Sequence, residues 1–482
     1  STLLASSAAS DVYKRQIVRY RRKNMQDYIS IIGAGLAGSE AAYQIAKRGI
    51  KVKLYEMKPE KYSPAHSNKN LAEIVCSNSF KSNLLTNACG LLKEELRKLD
   101  SLLIKVADET SVPAGQALAV DREHFSKKVT KELENNPFIE IIHKEITDIE
   151  EIAKEGIVIV ATGPLTSQKL AEQIANLTGE DKLYFYDAAA PIVSKESVDF
   201  KIAFYGDRYH QEKKKEESIE QWKERLAGQE GEEQSYINLP MSKEDYEKFW
   251  KELVEAEVVT LHEFEKKEIF EGCMPIEIMA KRGMDTLRYG PLKPVGFDDP
   301  KTGRRPYAIV QLRQDDKQAS IYNLVGFQTN LKFGEQKRVF SMIPGLEKAE
   351  FIKYGVMHRN TYINSTKLLD ETYNLKDNRN IYFAGQITGV EGYVESISSG
   401  MVAALNASAK FGDGAKVSFS ENTVIGALAK YISTPNKRFQ PMNANFGILP
   451  ELEGKRIRDK KERYQKLAER SLKEIEEKKR SQ

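Results

Sequence analysis

The stretch from Tyr28 to Glu56 constrains the fold more than any other part of this chain. It reads Tyr-Ile-Ser-Ile-Ile, then Gly33-Ala34-Gly35-Leu36-Ala37-Gly38, then Ser-Glu-Ala-Ala42 and a helical run to Gly49, and it closes on Lys51-Val-Lys-Leu-Tyr-Glu56. That order is a buried strand, a glycine turn, a helix, a second strand and an acid at its tip. A bound dinucleotide needs each part. Gly33 permits the tight turn, Gly35 lets the backbone approach a pyrophosphate, and Gly38 lets the helix pack closely on the strand. The helix N-terminus offers unpaired N–H groups and a positive dipole end to phosphates. Glu56 stands where an acid accepts hydrogen bonds from ribose hydroxyls. A glycine triad alone marks many structural turns, but strand, helix and acid together favour the dinucleotide. The acid suits an unphosphorylated ribose, as in FAD or NAD, and the small-residue helix face extended by Ala42 follows the style of FAD-binding proteins.

At 482 residues the chain is long enough for two or three domains. Its 40% hydrophobic and 30% charged residues are ordinary for a soluble globular protein. A net charge of +4, from 74 basic and 70 acidic residues, is too mild to decide on nucleic acid, so local patches matter more. Three cysteines argue against a disulfide framework and for a reducing, cytoplasmic compartment. No apolar run has the length of a membrane span, and no Cys-x-x-Cys or His-x-x-x-His spacing suggests a metal. Residues 1–24, Ser/Ala-rich and then basic, are expected to be a foreign or disordered leader, with the fold starting near Gln26.

The remaining segments predict an α/β protein with a Rossmann-like FAD-binding domain that is discontinuous in sequence. Residues 25–198 would form its first part, 199–332 an inserted α+β domain for substrate or RNA, and 333–482 its second part with a charged helical tail. An amphipathic helix is expected over 90–106, and another over Asp121–Glu134 with Asp121 as N-cap. Gly156-Ile-Val-Ile-Val160 has the continuous apolar character of a parallel strand buried on both faces. It ends in Ala161-Thr162-Gly163, a turn that lies against the cofactor in FAD-binding folds. Residues 211–271 are helical in pattern, and 273–330 look like short strands. Ile381-Tyr-Phe-Ala-Gly385-Gln386-Ile-Thr-Gly389-Val-Glu391-Gly392-Tyr393 is a third cofactor-type segment, followed by a Ser/Ala/Gly-rich helix over 394–408.

Two thiols sit in polar, Gly- or Pro-punctuated settings: Cys76 in a Ser/Asn loop and Cys273 in Gly-Cys-Met-Pro. Such surroundings suit reactive cysteines better than core ones. Cys89, opening a helix beside Gly90, reads as a core thiol. His66 and His358 read as surface groups or as groups one layer behind a site. Between Lys281 and Arg313 there are eight Lys/Arg and three Asp. Lys281, Arg282, Arg288, Arg304, Arg305 and Arg313 interleave with Tyr289 and Tyr307. The pattern fits a phosphate-contacting RNA surface and a solvated face equally well.

Six segments carry a resemblance. They are Ile31–Ala42, Glu73-Ile-Val-Cys-Ser-Asn-Ser-Phe-Lys-Ser-Asn83, Pro113–Arg122, Cys273-Met-Pro-Ile-Glu277, Val325-Gly-Phe-Gln-Thr-Asn330 and Gly385–Glu395. Together they resemble the bacterial folate- and FAD-dependent tRNA (uracil-5-)-methyltransferases, the TrmFO family of the GidA/MnmG superfamily. The resemblance runs from about residue 26 to about 465. It implies a GidA-type fold and methylation of C5 of the T-loop uridine of tRNA. The one-carbon unit would come from 5,10-methylenetetrahydrofolate by way of reduced flavin, with NAD(P)H as reductant. Uracil C5 is a poor nucleophile until a thiolate adds at C6, and a base must then remove the C5 proton. The family's cysteine pair aligns with Cys76, taken as nucleophile, and Cys273, taken as base or acid partner. Tyr393 aligns with a tyrosine beside the flavin. The same chemistry on a ribosomal RNA uridine, and a flavin oxidoreductase acting on a small molecule, are the competing readings.

Overall fold

The computed structural model describes residues 27–179, 183–208, 213–214, 216–227, 236–259, 274–436, 439–454 and 457–480. The expected leader, residues 1–24, and Cys273 lie outside the described residues. The first unit is built on β1 (Tyr28–Ile32), β2 (Lys51–Glu56), β3 (Ile139–His143) and β4 (Val158–Val160). The chain leaves this unit on β5 (Leu183–Ala188) and builds β6 (Ile192–Ser194), β7 (Phe204–Tyr205), β8 (Tyr236–Met241), β9 (Ala308–Gln314), β10 (Ile321–Leu324) and β11 (Phe351–Lys353). It returns on β12 (Met357–Tyr362) to β13 (Ile381–Phe383).

Two sheets result. The first is five-stranded, in the order β13-β4-β1-β2-β3, and every pair is parallel. β4 is buried at all three residues and lies between β1 and β13, as its unbroken apolar character requires. The second sheet runs β7-β8-β9-β10-β6-β11 and is antiparallel throughout. Its first and last strands in sequence, 192–194 and 351–353, flank the 199–332 span expected for an insertion. β5 and β12 pair antiparallel as a ribbon joining the two units. Each unit has its own apolar core. One draws on residues 29–174 and 363–475, the other on 193–349.

The helices follow local sequence rules with two exceptions. α1 (Leu36–Ala46) starts on Gly35, and α4 (Arg122–Glu134) is capped by Asp121, whose carboxylate accepts from the His124 N–H at 2.8 Å. The expected helix over 90–106 is two helices, α2 (Ala88–Lys98) and α3 (Leu102–Glu109). The break falls at Asp100, which adopts φ +60°, and Ser101 then caps α3. Residues 274–289, expected as strand, instead form helices Ile276–Lys281 and Thr286–Tyr289. Pro275 is the N-cap of the first of these, its ring fixing φ at −56°. Strand β8 interrupts the stretch read as helical over 211–271. The C-terminal region supplies α5 (Tyr393–Phe411), α6 (Val424–Ser433) and α7 (Lys460–Arg480). Among the described residues no helix is long and apolar enough to cross a membrane.

Candidate functional site

A cavity of about 400 Å³ opens at the carboxyl ends of β1, β2, β4 and β13, where open parallel sheets bind their ligands. Its wall takes Gly33–Ala37 after β1, Glu56 at the tip of β2, Ala161–Gly163 after β4, and Gly385, Gln386 and Glu391–Ser396 after β13. The second unit contributes Arg313 and Gln328, and the ribbon contributes Asn360.

The glycines after β1 do different work. Gly33 has φ +97°, and a Cβ there would stand 2.6 Å from the Ala161 carbonyl oxygen. A Cβ on Gly38 would stand 1.8 Å from the Gly33 carbonyl oxygen, so this residue closes the turn and is not part of the cavity wall. Gly35 has nothing within 4 Å of an added Cβ. It is the N-cap of α1, with no side-chain cap and no acid in the first turn. The N–H groups of that turn therefore remain available to an anion. Glu56 is held against this turn: its carboxylate accepts from the Ala34 N–H at 3.1 Å and the Lys58 N–H at 3.0 Å.

The segment after β13 completes the cradle. Gly385 and Gly392 have φ of +83° and +121°, and Gln386 donates to the Glu391 carboxylate. α5 also starts without a side-chain cap, on Gly392. Its Gly400 lets it approach α1, where a Cβ would stand 2.2 Å from the Ala37 carbonyl oxygen. Gly389 faces away from the cavity, because its Cβ would meet the Phe439 ring at 2.3 Å.

Cys76 lines the same cavity, and its loop is fixed from three sides. The Tyr393 hydroxyl accepts from the N–H groups of Cys76 and Ser77 at 3.1 and 3.0 Å. The Cys76 thiol donates to the Ala188 carbonyl at 3.7 Å. Arg313 donates to Ser77 Oγ at 2.6 Å and to Asn78 Oδ1 at 2.9 Å, while the Asn78 amide donates to the carbonyls of Val120 and Gln314. Burial holds the Tyr393 phenol well above its ordinary pKa, with the neighbouring Cys76 charge adding to the effect. Arg122, paired with Asp315 at 2.9 Å, and Lys353 both place positive charge near Cys76. Cys89 lies outside the cavity wall and is buried, and its thiol is pushed up to about 11 by that burial.

Residues just beyond Cys273 are tied to the cavity wall. Ile276 N–H donates to the carbonyl of Gln328 at 2.8 Å, and the buried Glu277 carboxylate accepts from Thr329 Oγ1 at 2.8 Å and Asn330 N–H at 2.9 Å. Burial raises the pKa of Glu277. The two sequence segments 274–277 and 325–330 are thus one structural unit.

The arginine-rich segment divides. Lys281, Arg282, Arg304 and Arg305 are exposed and outside the cavity wall. Arg288 packs its guanidinium 3.6 Å from the centre of the Tyr307 ring and donates to Asp285 and to the Tyr307 carbonyl. Tyr289 is 83% exposed. Arg313, grouped with this face by its sequence position, is instead buried beside Cys76, because β9 carries it into the seam between the two units. His66 lines the cavity, and the side chain of His358 lies outside what the structure describes.

Several polar atoms in the cavity wall have no hydrogen-bond partner among the described residues: both amide atoms of Asn360, Oε2 of Glu395 and Oδ1 of Asn443. Sequence reading did not single out Arg122, Gln328 or Glu395, although each lies inside a recognised segment. Asn360 carried no signal of its own.

Residues 28–414 match the family model described as glucose inhibited division protein A. The methylenetetrahydrofolate–tRNA-(uracil-5-)-methyltransferase TrmFO of Acetivibrio thermocellus is 58% identical over 454 residues, spanning 94% of this chain and 99% of that one. The chain belongs to the TrmFO branch of the GidA family. Another TrmFO, from Staphylococcus carnosus, is 54% identical over 92% of this chain and 97% of its own length. The GidA family fold is also seen in Aquifex aeolicus GidA, which aligns over 94% of this chain and 78% of its own, with a TM-score of 0.62 at 17% identity. The parallel sheet with a second, antiparallel unit is therefore the family architecture expected from the sequence.

Proposed function

We propose that this protein methylates C5 of the T-loop uridine of tRNA, taking the one-carbon unit from 5,10-methylenetetrahydrofolate, in the cytoplasm. Near-full-length identity of 58% to a protein named as a methylenetetrahydrofolate–tRNA-(uracil-5-)-methyltransferase carries the reading, and the T-loop position is what the family resemblance adds. The cavity supports it. The open Gly35 cradle, the uncapped start of α1 and the Glu56 carboxylate fit the pyrophosphate and ribose of FAD. Ala34, Leu36, Ala37, Thr162, Gly163, Gly385, Gln386, Glu391 and Gly392 would complete its walls. Bound there, FAD supplies the redox chemistry that turns a folate-derived methylene into a methyl group, with NAD(P)H as reductant.

The chain's own residues handle the uracil. The Cys76 thiolate would add to C6, and the electron pair released onto C5 would attack the electrophilic methylene, whose C=N π pair returns to the nitrogen that carries it. Cys273 would take the C5 proton as the methylene–nitrogen bond breaks, leaving an exocyclic methylene on the ring; once this carbon receives a hydride, which the bound cofactor would supply, the thiolate leaves C6 and the ring double bond re-forms. Tyr393 holds the Cys76 loop in place through its two accepted hydrogen bonds. The exposed Lys281, Arg282, Arg304 and Arg305, with Arg288 and Tyr289 between them, would meet the RNA backbone.

The test is methyl transfer by the purified protein to unmodified tRNA with methylenetetrahydrofolate and NADH. Ribothymidine in the T loop is expected, and transfer to ribosomal RNA instead would reassign the substrate. With 5-fluorouridine tRNA, Cys76→Ala should abolish the covalent adduct. Loss of the adduct in Cys273→Ala with retention in Cys76→Ala would exchange the two roles.

A further inference from the structure

Asn360 stands apart from every other polar residue in the cavity wall. It is 0% exposed, and neither its amide nitrogen nor its carbonyl oxygen has a hydrogen-bond partner among the described residues. Its backbone is fixed: it pairs with Phe185 across the ribbon, and the next residue, Thr361, donates its N–H to the Pro164 carbonyl at 2.8 Å. Pro164, Thr162 and Gly163 line the same cavity. A rigid strand therefore delivers a buried donor and a buried acceptor to the cavity side by side. Buried amides without partners are costly and rare in folded proteins, so a ligand is the natural complement.

We infer that Asn360 is a ligand-reading residue that pairs with the lactam edge of a ring bound in this cavity. A side-chain amide offers one N–H and one C=O about as far apart as the C=O and N–H of a cyclic lactam, so the two form a two-point pair, as amides do with base edges. A lactam edge of this kind is present on the flavin ring, on the pterin of folate and on uracil. Asn360 would hold one of these in register with Cys76. The inference rests on the proposed function only for this choice of three rings.

The test is Asn360→Leu, which keeps the branched four-heavy-atom outline and removes both polar atoms, with Asn360→Asp as a second variant that retains the acceptor only. FAD affinity is measured by flavin titration of the stripped protein. Folate and tRNA affinities are then measured with FAD saturating, and thermal stability is measured without ligand. Losing a two-point pair should weaken one of the three affinities by about tenfold or more. The Leu variant should be no less stable than wild type without ligand, because a buried amide with no internal partner gives up nothing. The ligand whose affinity falls identifies the ring. All three affinities unchanged in both variants would overturn the inference. So would a ligand-free Leu variant that is destabilised, since that would mean that Asn360 has an internal structural partner. Absence of methyl transfer by the wild-type protein would defeat the proposed function but leave the flavin arm of this test intact.

Discussion

Tyr393→Phe isolates the link between the cofactor segment and the reactive loop. The ring is kept, together with its packing 5.6 Å from Phe80. Only the hydroxyl is lost, and with it the acceptor for the N–H groups of Cys76 and Ser77, at 3.1 and 3.0 Å. A typical hydrogen bond contributes ~1 kcal/mol net, and a buried donor left unpaired costs ~1–3 kcal/mol. The Cys76 and Ser77 donors are half-buried, so the lower figure of ~1 kcal/mol each applies and releasing the loop gains ~2 kcal/mol relative to wild type. At ~1.4 kcal/mol per factor of ten, the loop would hold Cys76 in place about thirtyfold less of the time relative to its displaced states. The Cys76 thiol should then react faster with iodoacetamide, and kcat for ribothymidine formation should fall by one to two orders of magnitude, with little change in FAD occupancy. Peptide mapping after timed alkylation, alongside single-turnover kinetics, reads both. An unchanged alkylation rate together with unchanged kcat would refute the idea that Tyr393 positions Cys76.

The other expectations are simpler. Gly38→Ala places a methyl carbon 1.8 Å from the Gly33 carbonyl oxygen, so the turn must open and the purified protein should lose its flavin absorbance. Glu95 is buried, accepts from the N–H groups of Val424 and Ile425 and from Ser471, and is raised to about 7, chiefly by burial. An acid raised in the folded state favours folding when protonated. Its contribution is therefore fully present below the unfolded value near 4.5 and is lost as pH rises through about 7. The stability difference between wild type and Glu95→Gln should fall by on the order of 3 kcal/mol over that window, and a flat difference in chemical denaturation would contradict this. With its thiol raised to about 11, Cys89 should be alkylated far more slowly than Cys76 at pH 8 in the folded protein, as mass spectrometry of labelled peptides would show.

What the sequence revealed is what short range encodes. The Gly33–Gly38 turn, the Asp121 cap and the β4 strand depend on neighbours within a few residues, and each formed where its pattern lies. The break at Asp100 left no such mark, since a non-glycine residue at φ +60° is held by its surroundings and not by its own preference. Pro275 did leave one, and read as a helix start it would have located the helix at Ile276–Lys281. The site was legible as motifs but not as an assembly. Arg313 looked like part of a surface run until β9 turned it toward Asn78, 235 positions earlier in the chain. Asn360, between Arg359 and Thr361, has no periodicity or glycine to announce it. Its distinction comes from what surrounds it in space.

The ribbon of β5 and β12 has a consequence for how the protein comes apart. The two apolar cores are separate and meet only through the ribbon and polar contacts such as Arg122–Asp315 and Arg313–Asn78, so they can melt separately. The cavity lies across that division, with the glycine turn on one side, Arg313 and Gln328 on the other, and Asn360 on the ribbon itself. Whatever fills it becomes shared interior. A ligand there stabilises both cores at once and merges two transitions into one. The bound cofactor would thus act as a cooperativity element, making the molecule behave as a single folding unit only when it is equipped to work.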